Sequence, residues 1–235
     1  MKHSIKWHTG RYRKIAGQGP PGPGPAQIIF SLYCIALVPS TLILMTAAAS
    51  ETGLPWIDAL FTATSALTVT GLGVVDTNLH FTGLGHSLLM LLMQIGGLGQ
   101  MTLSVFILFF LGRKVSLREQ TLAREELNRG SAENVVQLIK VIVIFALIVE
   151  LIGTALLAIT WVPEFGWTRG LFCSVFHAVS AFNNAGFSLF TDSMSAWDDS
   201  YLPTLTLGGM FIIGGLGFPV VLDLVRFGKR RRLSL

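Results

Sequence analysis

Apolar residues run almost unbroken through four stretches of this chain, at residues 27–49, 83–111, 135–160 and 202–225. Each is long enough to cross a bilayer as a helix, which takes roughly 20 apolar residues. The second exceeds that need, so it is expected to tilt, bend or protrude. Between the spans the pattern changes. Residues 55–67 and 169–182 carry apolar positions at helical spacing but are too short to cross. Each lies between two spans, and each is followed by a short neutral stretch, "TVTGLG" after Leu67 and "NNAGFS" after Phe182. That describes a re-entrant helix, which dips in, stops partway and climbs back as extended backbone. Such backbone is tolerated at membrane depth only where protein buries it or where it lines a water-filled cavity.

Composition agrees with a membrane setting, since 51% of residues are hydrophobic and only 13% charged. A soluble domain has about twice that charged fraction. The charges also orient the chain. Of its 17 basic residues, all except Arg169 lie before the first span, between the second and third or, as Lys140, in the first turns of the third, or after the fourth. By the positive-inside rule both termini and the middle loop are cytoplasmic, in the cell (inner) membrane. Topology accounts for these charges in full, and no nucleic-acid partner is expected. The opposite side holds Glu51, Asp58, Asp76, Glu164, Asp192, Asp198 and Asp199, which suits an outer vestibule that attracts cations. The stretch "TAAAS" after the first span looks cleavable, but that apolar run is too long for a secretory signal. "GPPGPGP" at residues 19–25 reads as a stiff linker feeding it. Cys34 and Cys173 fall in different regions and read as packing residues rather than a disulfide.

The chain matches itself. "FTATSALTVTGLGVVDT" from Phe61 and "FHAVSAFNNAGFSLFTD" from Phe176 share Phe, Ala, Ser, Ala and Gly at a constant offset of 115. "IGGLG" at Ile95 recurs as "IGGLG" at Ile213, an offset of 118. A repeat spanning helix, outer segment and helix predicts two copies of one structural unit. The neutral stretches then acquire a purpose. A helix ending near Leu67 aims its C-terminal carbonyls, the negative end of its dipole, at what lies beyond. Thr68, Val69 and Thr70 can turn carbonyl oxygens inward, and Gly71 admits backbone geometry closed to other residues. Uncharged oxygens replace a monovalent cation's water shell without trapping the ion.

"TVTGLG" after a short helix is similar to a potassium-channel filter. Duplicated in one chain, with "GGLG" in each following span, it resembles the Trk/Ktr/HKT superfamily of potassium transporters, most of all the bacterial Ktr/Trk-type membrane subunits. The resemblance covers nearly all of residues 27–225, on the motifs "SALTVTGLGVVDT" and "SAFNNAGFSL". It implies an all-α membrane protein built of M1–pore helix–M2 repeats around one pathway, four in the family and two here. The first repeat is residues 27–111 and the second 135–225, with a cytoplasmic basic N-terminus and linker at 1–26, a connector at 112–134 and a basic tail at 226–235. Thr68, Val69, Thr70 and Gly71, with Asn183, Asn184, Ala185 and Gly186, fall on the filter backbone. The implied cargo is K⁺, with Na⁺ as the second candidate, and no cofactor. Two loops supply half a ring of carbonyls, so a C-terminal half or a second copy is expected to complete it. In this family the cytoplasmic surface can meet a nucleotide-binding regulatory ring.

Other residues carry two readings each. Gly96, Gly97, Gly99, Gly214, Gly215 and Gly217 either let helices approach closely or widen and bend a pathway below the filter. Glu150 sits mid-span, where a charge costs at least about 2.5 kcal/mol, and is read as hydrogen-bonded to a neighbouring helix before an ion site. His86 and His177 are read as packing residues, and Asp223 as an interfacial partner of Arg226. Ser116 and Glu119 have capping-box spacing and open a short cytoplasmic helix expected to stop at Gly130, either a plain connector or a docking surface. No Walker loop, metal-ligand spacing or nucleophile–base pair supports an enzyme. The expectation is potassium uptake, and its rival a non-conducting accessory half-transporter. Orientation has a direct check. Cysteines introduced as Asn78→Cys and Ser195→Cys should react with an impermeant thiol reagent from outside, and Gln120→Cys should not. Labelling at position 120 in sealed cells would reverse the topology.

Overall fold

The structure, a computed structural model, describes residues 25–111, 117–197 and 199–230. The expected linker as far as Gly24, Ser116 of the capping pair, Asp198 and residues 231–235 lie outside them. Among the described residues every regular element is helical, apart from one isolated antiparallel bridge between Ser50 and Phe81.

The first helix, α1 (Pro25–Leu44), contains Pro39, which cannot donate to the turn before it. Next to it the Ser40 and Thr41 hydroxyls donate to the carbonyls of Ala36 and Leu37, at 2.6 and 2.9 Å. Helix α2 (Trp56–Leu67) opens after Pro55, whose extended backbone suits a chain entering a helix, and carries Asp58 in its first turn, where the dipole favours an acid. Asp76 caps the short α3 (Thr77–His80) by accepting from the amides of Asn78 and Leu79 at 2.8 and 3.1 Å. Helix α4 (Gly83–Leu111) follows.

Helix α5 (Leu117–Phe182) corrects two expectations. It does not stop at Gly130, and it runs beyond residue 160 through Pro163 before breaking at Gly166 (φ 79, ψ 168). A single glycine costs a helix only about 1 kcal/mol, and the Ala, Leu, Glu and Arg around Gly130 are good helix formers. The break at Gly166 turns the chain into a second, short arm at residues 167–182. After a 3₁₀ turn at Ser195–Trp197 comes α6 (Tyr201–Arg230), itself broken at Gly217 (φ 73, ψ 160).

Helix α2 packs between α1 and α4, and α5 packs against α4 and α6. Leu44, Leu67, Leu89, Leu92 and Met93 are buried around α2. Around the short arm of α5 the core is aromatic. Trp161 meets His177 and Phe190 with ring centroids 4.9 and 5.2 Å apart, and Trp197 closes the cluster at 5.7 Å from both Trp161 and Phe190. This cluster pins the segment after the second arm back onto the kink. The outward faces are apolar instead of polar: Ile35, Leu151 and Leu205 are 69%, 71% and 72% exposed, with Ile144, Leu147, Ile148, Ile152 and Ile159 also exposed on α5. Faces of that extent are stable against lipid and not against water. Among the described residues, Ile139–Phe182 is long and apolar enough to cross a membrane, and Phe30–Leu44 and Tyr201–Gly217 are shorter apolar helices.

Two matching contacts set the depth of the short helices. A Cβ on Gly96 would strike the carbonyl of Leu67, the last residue of α2, and a Cβ on Gly214 would strike the carbonyl of Phe182, the last of α5. Backbone therefore rests on backbone in both places. Gly96→Ala and Gly214→Ala should each destabilise the purified chain by about 1–3 kcal/mol. Gly208→Ala, whose new Cβ would meet nothing within 4 Å, should leave it unchanged. Equal thermal midpoints for the three variants would refute the contact.

Candidate functional site

Both short helices end in the same way. Beyond Leu67 the amides of Thr68, Val69 and Thr70 fold back to the carbonyls of Thr64, Ala66 and Ser65, at 2.8, 3.3 and 2.9 Å. Beyond Phe182 the amides of Asn183, Asn184 and Ala185 fold back to Val179, Ala181 and Ser180, at 3.1, 3.1 and 2.8 Å. Val69 (φ 50) and Gly71 (φ 79) are left-handed in the first loop, and Asn184 (φ 59) and Gly186 (φ 75) in the second. These residues correspond pairwise at the offset of 115. A β-branched residue such as valine is a genuine outlier at positive φ.

The loops meet at their glycines. A Cβ on Gly71 would lie 2.5 Å from the carbonyl oxygen of Ala185 and 3.3 Å from the Cα of Gly186. A Cβ on Gly186 would lie 3.5 Å from the Cα of Gly71. Of the sequence-predicted loop residues, Gly71, Ala185 and Gly186 thus come together in space.

Each loop is fastened from behind by a serine. Ser65 Oγ accepts from the amide of Leu72 at 2.9 Å, and Ser180 Oγ donates to the carbonyl of Phe187 at 2.7 Å. Both serines belong to the repeated motif, yet the sequence offered no sign of what their hydroxyls hold. His177 secures the second loop further along. Its Nε2 accepts from the Leu189 amide at 3.3 Å and lies 3.1 Å from Ser188 Oγ, so its Nδ1–H donates to the Cys173 carbonyl at 2.8 Å. With Phe190 stacked on it at 4.7 Å, His177 is a packing and bracing residue. His86 packs against Phe172 and Phe176, with Nε2 2.7 Å from the Thr77 carbonyl. Cys34 and Cys173 are free thiols.

The side chains next to the loops break the symmetry. In the amide orientation that satisfies both of its atoms, Asn184 donates to the Phe211 carbonyl at 3.2 Å and accepts from the Gly215 amide at 3.1 Å. It sits in the α6 hydrogen-bond ladder one residue pair before the break at Gly217. Side chains that enter a helix ladder are a known cause of kinks. Its counterpart Val69 has no polar group to do this, and α4 continues unbroken past Gly99, where an added Cβ would lie 3.6 Å from the Tyr33 hydroxyl. Gly97, Asn183, Asn184, Gly214, Gly215 and Gly217 all line a cavity of about 330 Å³ on the α4–α6 side of the loops. Glu150 is buried and accepts from Gln94 on α4, a hydrogen bond to a neighbouring helix as its sequence position suggested. Gln94 itself escaped sequence reading, although an amide in mid-span beside "IGGLG" was the available signal.

The family model of TrkH, described as cation transport protein, matches residues 27–234. The chain belongs to this family. Its relatives include two proteins named Ktr system potassium uptake protein B. The one from Vibrio alginolyticus is 52% identical over 207 residues, covering 88% of this chain and 46% of that protein. The one from Bacillus subtilis is 43% identical, covering 90% and 47%. A protein of Enterococcus hirae named potassium/sodium uptake protein NtpJ is 36% identical, again covering 90% and 47%. The chain thus spans about half the length of the curated relatives it matches. Transport-protein relatives and the apolar outer faces together mark a membrane protein.

The serine fastenings differ in burial, and that difference is measurable. Ser180 and Phe187 are 3% and 5% exposed, whereas Leu72 is 58% exposed. Ser180→Ala strands a buried carbonyl and should cost about 1–3 kcal/mol in denaturant unfolding of the chain in mixed micelles. Ser65→Ala, whose amide partner water can reach, should cost less. The reverse order would contradict this account of the clamps.

Proposed function

We propose that residues 68–71 and 183–186 form two sides of a carbonyl-lined cation filter, and that this chain supplies half of a potassium uptake pathway. The observation that carries this reading is the matched backbone, with Val69 and Gly71 in one loop and Asn184 and Gly186 in the other at positive φ. In an ordinary strand successive carbonyls alternate in direction. Alternating left- and right-handed residues turn them to one side, as a dehydrated cation requires. Holding a valine at φ 50 costs on the order of 1–3 kcal/mol, a strain that folds retain where the conformation serves a function. The helices ahead of the loops aim the negative ends of their dipoles at the same place. Neither loop contains a carboxylate, so an ion can be held and still released.

In this reading α2 and the short arm of α5 are re-entrant pore helices, each set between two spans, with both termini cytoplasmic. Relatives named for potassium uptake support K⁺ as cargo, and the one named for potassium and sodium makes Na⁺ the second cation to test. Two further loops, from a C-terminal half or a second copy, close the ring, and the cytoplasmic connector is where a nucleotide-binding regulatory ring would dock.

Gly71→Ser and Gly186→Ser test the filter. Each adds a Cβ where carbonyls must crowd, and each should lower K⁺ over Na⁺ uptake about tenfold or abolish it, with insertion unchanged. Parental fluxes in both variants refute the filter. Rescue of a potassium-uptake-deficient host by the chain with a complementing half supports conduction, and failure in every combination supports the rival, a non-conducting accessory half.

A further inference from the structure

Asn183 opens the second loop, but its side chain serves elsewhere. It is 3% exposed and lodges between α4 and α5, where Nδ2 donates to Gln94 Oε1 at 2.9 Å and to the Val179 carbonyl at 2.9 Å, with Glu150 Oε1 at 3.3 Å. Gln94 Nε2 in turn donates to Glu150 Oε2 at 3.2 Å. Three polar side chains from three separate elements therefore close on one another within an apolar core, and Glu150 at their centre is 6% exposed. Room is made for the group by Gly97, since a Cβ there would lie 2.6 Å from the Asn183 Cβ and would collide with its amide.

The first loop has no such arrangement. Thr68, the counterpart of Asn183, is exposed, and its hydroxyl stays local, bonding the Thr64 carbonyl at 2.8 Å and Thr70 Oγ1 at 2.7 Å. Glu150 falls on Ile35 at the offset of 115, and Gln94 on Ile212 at the offset of 118. Both isoleucines are exposed. The polar group is thus particular to the second loop, and it ties that loop to α4, the helix that follows the first.

We propose that Glu150, Gln94 and the Asn183 side chain act as a strut that positions the second loop and sets how strictly it discriminates K⁺ from Na⁺. This rests on the reading of residues 183–186 as filter backbone. Discrimination by carbonyls depends on where the oxygens are held, and a site is only as exact as the shell that supports it. The strut supplies that support through its donor–acceptor pattern: Glu150 accepts from the Gln94 amide, and the two N–H groups of Asn183 are shared among Gln94 Oε1, the Val179 carbonyl and the longer contact to Glu150 Oε1. All three are positioning residues.

Glu150→Gln keeps the volume but turns one acceptor into a donor facing another amide. In an assembly that takes up K⁺, it should lower the K⁺/Na⁺ uptake ratio about tenfold at an unchanged amount of inserted protein. The pair Gln94→Glu with Glu150→Gln exchanges the two groups, restores the pattern and should recover most of the ratio. A space-filling role predicts no effect of the first change and no recovery in the pair. A parental ratio in Glu150→Gln, or a pair no better than its worse single variant, overturns the strut. Where Glu150→Gln fails to accumulate, Gln94→Leu, which removes both bonds of that amide, should lower the ratio equally, and a parental ratio there overturns the strut.

Hydrogen exchange separates this inference from the transport reading. If the unaltered assembly takes up no K⁺, the potassium reading fails, and the strut is still tested in the purified chain. There the amides of Ala185 and Leu189 should exchange about tenfold faster in Glu150→Gln and return towards parental rates in the exchanged pair. Unchanged exchange at both amides overturns the positioning role.

Discussion

Two short helices end with a carbonyl, at Leu67 and at Phe182, pressed onto the bare Cα of a glycine in the next long helix. The rest of the arrangement depends on that pair of contacts. A side chain at Gly96 or Gly214 would push the end of the short helix outward, and the loop beyond would move with it. With the contact made, residues 68–71 and 183–186 start from matched positions, and Gly71 comes up against Ala185 and Gly186. Close packing of this kind is set by steric exclusion, which leaves little latitude for gradual adjustment.

From those fixed starting points the two loops follow the same backbone course and are supported differently. The left-handed pairs and the serine fastenings recur in both. Around the first loop the remaining polar contacts are short-range threonine hydroxyl bonds at an exposed face. Around the second they reach across elements, with Asn183 to α4 and α5, Asn184 to α6, and His177 to Ser188 and Leu189. The second loop is therefore the one whose geometry is coupled to the packing of the long helices. The α6 break at Gly217 lies just beyond the point where Asn184 enters the ladder, and α4 lacks both the side chain and the break.

The surrounding medium completes the balance of forces. Apolar residues on the outer faces of α1, α5 and α6 have no protein to cover them within the chain. In lipid they need none, and the polar groups are drawn inward to one another. That inversion explains why a carboxylate, two amides and a histidine lie in the interior while leucine and isoleucine face out. Glu150, Gln94, Asn183 and His177 all make hydrogen bonds there, because an unpaired polar group is costly in so apolar a setting.

The sequence alone determined the all-helical character, since long apolar runs leave the backbone no other way to satisfy itself in a bilayer. It also determined the family, through "TVTG" and the doubled "IGGLG", and located α2 to within a residue, because proline, helical periodicity and a glycine-bearing turn are local signals. The continuity of α5 past Gly130 was not legible, as a helix tolerates one glycine when its neighbours favour it. Nor were the partners of Ser65, Ser180, Gln94 and Asn183 legible. A hydroxyl or amide in an apolar stretch announces that it needs a partner without saying which, and Gln94 and Asn183 are 89 residues apart. Only the tertiary structure decided that Glu150 lies between them, because hydrogen-bond pairing is a matter of distance in space, which sequence separation does not encode.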